Sequence, residues 1–266
     1  MKSGELHRFA RGFSVQSQVM GALIVREMQS RFGRHNIGYL WIIGEPMMLA
    51  MVMGGIHEVA HFGVALKGIH PYAFTLLGYN IFIIFRNVFN RGDHLLDASS
   101  YLLLHRIIKP VDIIVSKAIV EIIGVICSLI ILTMVGIILG ISNVPVRPLY
   151  LLMAIGLMSW LSIALSILIA AYTYESHLLS RFVHPFSYFM VPLSGAFFTM
   201  SFLPADARAI MQWNPLLAIF EIARYGQFEV ASGKYLYPGY ATSVCAILTY
   251  WGLLSLRHVQ KRIHVG

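Results

Sequence analysis

Residues 57–61 read His57-Glu58-Val59-Ala60-His61, the H-E-x-x-H spacing that sets two imidazoles on one helical face around a zinc ion, with the glutamate as general base. That chemistry would make the chain an intramembrane zinc protease, with His70 within reach as a third ligand. Position argues against it. The five residues close an apolar run that begins near Gly38, and polar residues at a helix end need no metal. No nearby acidic or histidine motif completes the ligand set, so neither a metal site nor a catalytic residue is assigned. Nucleotide chemistry is missing too. The sequence has no G-x-x-x-x-G-K-[ST] phosphate loop and no G-x-S-x-G elbow, so any use of ATP requires another subunit.

Charged residues within apolar runs are the next candidates, because they are costly in hydrocarbon. Glu45 precedes Pro46 in the first run, Arg86 interrupts the second, and Glu121 lies in the third. One reading pairs Arg86 with Glu45 or Glu121, or lets Arg86 snorkel to the interface. The other makes the three a polar lining for a hydrophilic substrate. The structural pair is favoured. Aromatic residues Tyr39, Trp41, Tyr72, Tyr188, Phe197, Phe198, Trp213 and Tyr225 are spread along the runs. Sugar rings stack their C–H faces on such rings, although membrane aromatics are more often interfacial anchors.

The elements that must carry these residues follow from composition. The 266 residues are 58% hydrophobic and only 12% charged, with net charge +8 and mean hydropathy +0.71. Roughly 25% charge is usual in a soluble domain, so the chain reads as a polytopic all-α membrane protein, not a nucleic-acid binder. Six spans of about 20 residues are expected near 38–57, 72–90, 114–140, 149–172, 184–203 and 239–257. Residues 1–19 have no short apolar core of a cleavable signal, so the first span is expected to direct insertion. Cys127 and Cys245 fall in apolar runs and do not suggest a disulfide. Of the 20 lysines and arginines, 15 fall on the side of the termini and 5 opposite, which places both termini in the cytoplasm.

Three segments between the spans stand out. Residues 1–20 read as a polar tail or a lead-in to a basic amphipathic helix carrying Arg26, Arg31 and Arg34, which ends at the first span. Residues 91–113 form a long loop in which Asp97 starts a short helix with Leu102, His105 and Arg106, ended by Pro110. It either lies on lipid or docks a cytoplasmic partner. Residues 204–238 are apolar for a loop, with two short helices hinged at Asn214-Pro215. They suggest a re-entrant hairpin on the outer side.

Taken together the chain resembles the ABC-2 type permeases that export polysaccharides, capsular polysaccharide export subunits above all. The resemblance rests on Leu23-Ile24-Val25-Arg26-Glu27 with Ser30-Arg31-Phe32-Gly33, Gly38-Tyr39-Leu40-Trp41 and Glu45-Pro46. It rests also on the R-x-x-K-P sequence from Arg106 to Pro110, and on Trp213-Asn214-Pro215-Leu216 with Glu221 and Arg224. The six-span layout with a cytoplasmic tail completes it. His57–His61 is not part of the family's pattern.

The resemblance implies an interfacial segment over 1–37, a transmembrane domain over 38–257 and a cytoplasmic tail over 258–266. It implies a homodimer in the bacterial inner membrane, paired with two copies of a cytoplasmic ATPase that alone binds ATP and magnesium. No cofactor is expected in this chain. Arg26, Arg31, Arg34, Leu102, His105 and Arg106 become ATPase-docking candidates. Tyr39, Trp41, Tyr188, Phe197, Phe198, Trp213 and Tyr225 become channel candidates, and Asn214, Pro215, Glu221 and Arg224 mark the outer hairpin. Periplasmic and outer-membrane export proteins, a polysaccharide substrate and membrane lipid are the other implied partners, without nucleic acid. Export of O-antigen, of a small lipid or of a drug is the alternative, and a zinc protease a remote one.

Overall fold

The computed structural model describes residues 2–32, 38–60, 68–103 and 108–263; of these, the side chains of 2–11, 31, 32, 38, 39, 42, 57–60 and 261–263 are not described. Among the described residues the chain is helical and has no strand. In order the helices are α1 (Lys2–Phe32), α2 (Gly38–Ala60), α3 (Pro71–Arg91), α4 (Leu95–Ala98), α5 (Ser100–Leu103), α6 (Pro110–Ile138), α7 (Pro148–Glu175), α8 (His177–Leu193), α9 (Ala205–Met211), α10 (Pro215–Gln227) and α11 (Pro238–Ile263).

Local chemistry explains the boundaries. Proline opens α3, α6, α7, α10 and α11, where its missing N–H is no loss and its fixed φ suits the first turn. At the start of α6 the Asp112 carboxylate reaches back to accept the Lys109 backbone N–H at 3.0 Å. The helix ends in a Schellman closure. Gly140 sits at φ 71°, Ile141 N–H donates to the Gly136 carbonyl at 2.9 Å, and Gly140 N–H donates to that of Ile137 at 3.0 Å.

Helix α3 is the axis of the bundle. Fifteen of its residues, from Ala73 through Phe89, are buried on every face, as a helix surrounded by protein requires. It packs against α2, α6, α7, α8 and α10, and its Phe74, Phe82 and Phe85 join Met158 and Leu161 of α7 and Phe220 of α10 in the main core. A second, smaller core lies at the α4 end. It gathers Leu23 of α1, Leu95 and Leu96 of α4, Leu103 of α5, Ile113 and Ile114 of α6, Ile167 of α7, and Leu256 and Val259 of α11. This core, with Gln16 donating to Asp112 at 2.5 Å, fastens α1 to the bundle.

By length and composition four stretches among the described residues can cross a bilayer: Pro71–Arg91, Pro110–Ile138, Pro148–Glu175 and Gly233–Gln260. A shorter apolar stretch, Ile43–Ile56, lies in α2. Large apolar side chains face outward from these helices, among them Ile130, Met134 and Ile138 on α6 and Ile247, Trp251 and Leu254 on α11.

Residues 2–20 belong to α1, one helix of 31 residues from Lys2, which agrees with their reading as a lead-in to the basic helix. Two expectations need correction. The run over 184–203 is not one helix. α8 starts at His177 and stops at Leu193, because Gly195 turns the chain at φ 86° and Met200–Phe202 follows as a 3-10 turn. The loop helix expected from Asp97 is interrupted at Ser99: among the described residues it is two turns, α4 and α5, and residues 104–107 lie outside those described.

Candidate functional site

At the α9 end, the segment that follows α8 is held against α10 by buried polar contacts. Asn214 caps α10 by accepting the Leu216 N–H at 3.0 Å, and its amide donates to the Leu193 carbonyl at 2.8 Å, the last residue of α8. Pro215 is the first residue of α10. About two and a half turns along, Arg224 is 2% exposed and donates to the carbonyls of Gly195 and of Ala196, the latter at 3.1 Å. Its guanidinium lies 4.4 Å from the centre of the Phe74 ring and 3.5 Å from Glu221 Oε1. Glu221 in turn accepts the Met200 N–H at 2.8 Å. Gly78 of α3 makes room for this arrangement, since a Cβ there would overlap the Ala196 carbonyl. Asn214, Glu221 and Arg224 thus convert the irregular chain 194–203 into a fixed surface over α3.

Around this bracket the aromatic candidates separate by exposure. Trp213, at the hairpin tip, is 70% exposed and meets Tyr240 edge-on at 6.3 Å, while Tyr240 donates its hydroxyl to the Trp213 carbonyl at 2.5 Å. Phe197 is half-buried and stacks on Tyr79 at 6.3 Å, and Phe198 is half-buried beside it. Tyr225 is a packing residue. The Arg147 guanidinium covers its ring at 4.1 Å and Tyr150 meets it edge-on at 5.0 Å.

At the opposite end, a polar cavity of about 660 Å³ opens between α2, α3, α4, α6 and α8. Its walls bring together the three charged residues singled out by sequence, Glu45, Arg86 and Glu121, with Arg91, Asp93 and Lys117. The pairing differs from the expected one. Arg91 bonds Glu121 at 2.8 Å and Asn87 donates to the same carboxylate at 3.1 Å. Arg86 donates to the Tyr188 hydroxyl at 2.5 Å and lies 4.2 Å over that ring. Arg91 is one turn and more further along α3 than Arg86 and reaches Glu121 across the α3–α6 contact. Tyr188 is 57% exposed and Trp41, on α2, is 52% exposed.

Of the docking candidates, Arg26 is exposed on α1 with its guanidinium 5.0 Å over the Tyr101 ring of α5, and Leu102 packs on the second core. The side chains of Arg31 and Tyr39, with Arg34, His105 and Arg106, lie outside the described residues, as do the side chains of His57 and Glu58 and all of His61.

The bundle has one protein-surrounded helix, a bracketed segment at one end and a charged cavity at the other, without an assembled catalytic constellation among the described residues. The sequence pattern of the ABC-2 type transporter family matches residues 18–228. The chain belongs to that family. It is a transporter membrane subunit and not an enzyme, which removes the protease reading of His57–His61. Relatives of this permease extend over its whole length. It is 29% identical to the capsule polysaccharide export inner-membrane protein BexB of Haemophilus influenzae over 263 residues, 99% of either chain. It is 29% identical to the corresponding protein CtrC of Neisseria meningitidis, over 97% of this chain and 98% of the relative. The polysialic acid transport protein KpsM of Escherichia coli is 28% identical over 90% of each.

Proposed function

We propose that the chain is the permease subunit of an ATP-driven exporter of capsular or closely related polysaccharide in a bacterial inner membrane. The observation that carries this reading is end-to-end similarity to relatives named for capsule polysaccharide export. The structure is consistent with it: a hydroxyl-rich, charged polymer requires polar walls inside an apolar bundle, and the α2–α3–α6–α8 cavity supplies them. In this reading α2 and α8 complete a six-span domain over 38–257, both termini are cytoplasmic, and α9 and α10 form the re-entrant hairpin of the outer face. Two copies of the chain enclose the path, with the exposed rings of Trp41, Tyr188 and Trp213 available to stack on sugars. Two cytoplasmic ATPase subunits bind ATP and magnesium and act through α1 and the α4–α5 loop, including Arg26, Arg31, Arg34, Leu102, His105 and Arg106. Periplasmic and outer-membrane proteins take over the polymer. The segments 1–37 and 258–266 face the cytoplasm.

In an encapsulated strain that depends on this chain, replacing Arg31 and Arg34 with Glu is expected to abolish surface polymer and leave polymer inside the cell. Normal display with the doubly substituted protein inserted at wild-type level refutes the docking mechanism. Loss of O-antigen with intact capsule in the strain lacking the chain would transfer the assignment to that substrate.

A further inference from the structure

At the rim of the polar cavity, whose wall includes His94, a group of ligating side chains lies where the α3–α4 corner meets the first turn of α8. His94, Asp97 and His177 each bring one ligand atom to within 4.8 Å of the other two. His94 Nδ1 faces Asp97 Oδ2 at 3.8 Å, and the His94 and His177 rings are stacked with centres 6.2 Å apart. The second nitrogen of His94 has its own partner: Nε2 lies 2.6 Å from Ser180 Oγ, a residue only 5% exposed. With Nε2–H donating to that hydroxyl, the lone pair of the neutral ring stays on Nδ1, the nitrogen that faces Asp97. Metal-ligating histidines are oriented in this way, with the far ring nitrogen held by an oxygen.

Asp93 lies on the other side of the ring, its Oδ1 3.9 Å from His94 Nε2 and its Oδ2 3.9 Å from His184 Nε2, in the cavity wall with Arg91 and Lys117. His94 itself adopts φ 50°, the only positive φ at a non-glycine position among the described residues. A non-glycine backbone held in this sparsely populated region is a feature that clusters at ligand clamps and switches.

We propose that His94, Asp97 and His177 form a binding site for a divalent transition-metal ion, zinc by its donor set, that fastens the start of α8 to the α3–α4 corner. Two imidazoles and one carboxylate match zinc in a three-ligand site with a position left for water, and suit magnesium or calcium poorly. The ion would neutralise the field of Asp97. It would also join two working parts: α4, anchored in the core that holds α1, and α8, whose Tyr188 engages Arg86 over the polar cavity. The site follows from the side chains alone and does not depend on which substrate the permease carries.

The experiment uses the full-length chain, purified without a histidine tag, stripped with EDTA and titrated with zinc chloride by calorimetry and with cobalt(II) by visible absorption. About one zinc per chain is expected, with a d–d band for bound cobalt. His177→Ala and Asp97→Asn are expected to weaken binding at least tenfold, and Ser180→Ala by about tenfold, the usual effect of losing an outer-shell partner. The double variant His57→Ala, His61→Ala is expected to bind as the parent does. His177 is exposed, so its replacement leaves the fold intact, and zinc is expected to raise the melting temperature of the parent and not of His177→Ala. If metal-free His177→Ala melts below the metal-free parent, Asp97→Asn carries the same comparison. No saturable binding overturns the proposal, as does binding that survives His177→Ala and Asp97→Asn and is lost with His57 and His61.

Discussion

Arg224 shows how a charged residue can hold a membrane protein together without touching a substrate. Its partners are the carbonyls of Gly195 and Ala196, the Phe74 ring and Glu221, while its Nε is buried without a hydrogen-bond acceptor. Removing one member of such a buried pair leaves the other uncompensated, a loss of about 3 kcal/mol or more. Arg224→Met is therefore expected to lower the melting temperature of the purified permease by about 6–12 °C, at roughly 2–4 °C per kcal/mol. Glu221→Leu combined with Arg224→Met is expected to recover part of the loss, since two apolar residues leave no buried charge. A single variant that melts with the parent would reduce the bracket to a packing contact. Sequence marks Glu221 and Arg224 as a motif, but not as a bracket, because the backbone groups they bind, the Met200 N–H and the Gly195 and Ala196 carbonyls, lie 21 to 29 residues upstream. The same limit applies to Glu121. Sequence sets Arg86 inside the second run and Arg91 at the start of the loop after it, and only the packing of α3 against α6 decides that Arg91 is its partner.

At the scale of elements, what was legible is what local chemistry decides. The long uninterrupted apolar runs give α6 and α7 within a few residues, while Pro110, which the sequence sets at the end of the loop helix, proves to be the first residue of α6. Two elements were not legible for a shared reason: their form depends on contacts made elsewhere. Residues 2–20 are too polar to show an apolar stripe, yet α1 extends through them once Leu23 and Gln16 find α6 and α4. Residues 194–203 are apolar enough to read as span, yet Gly195 turns them out of helix and Arg224 takes up the carbonyls this frees. The end of α8 thus rests on two positions. Gly195→Ala forces a Cβ into a left-handed conformation, at about 1–2 kcal/mol, and against Leu217. Asn214→Ala removes a cap worth about 1 kcal/mol, together with the bond to Leu193. Asn214→Asp keeps the oxygen that accepts from Leu216 and loses the amide donor to Leu193, so its melting temperature is expected between those of parent and Asn214→Ala. If Asn214→Asp melts with Asn214→Ala, the bond to Leu193 carries the whole effect and the cap none.

At the scale of the molecule, the two ends of the bundle differ in charge and construction, and that difference predicts a direction. The α4 end carries the basic helix α1, the cavity with Arg86, Arg91 and Lys117, and the second core; the α9 end carries the α9–α10 segment and few cations. Lysine and arginine are retained on the cytoplasmic side of inserted helices, so 15 against 5 of the 20 cations should orient every copy alike. Single cysteines in a Cys127→Ser, Cys245→Ser background test this directly, because both native thiols lie within helices and their loss alters no disulfide. Asp206→Cys, exposed at the start of α9, is expected to react with a membrane-impermeant maleimide in intact spheroplasts. Lys109→Cys, exposed before α6, is expected to react only after the membrane is opened. The reverse pattern would place the cavity on the outer face, where no ATPase could reach α1 or the α4–α5 loop, and the export direction would have to be abandoned with it. Equal labelling of both positions from outside would mean two insertions of one chain, which the 15-to-5 charge bias forbids.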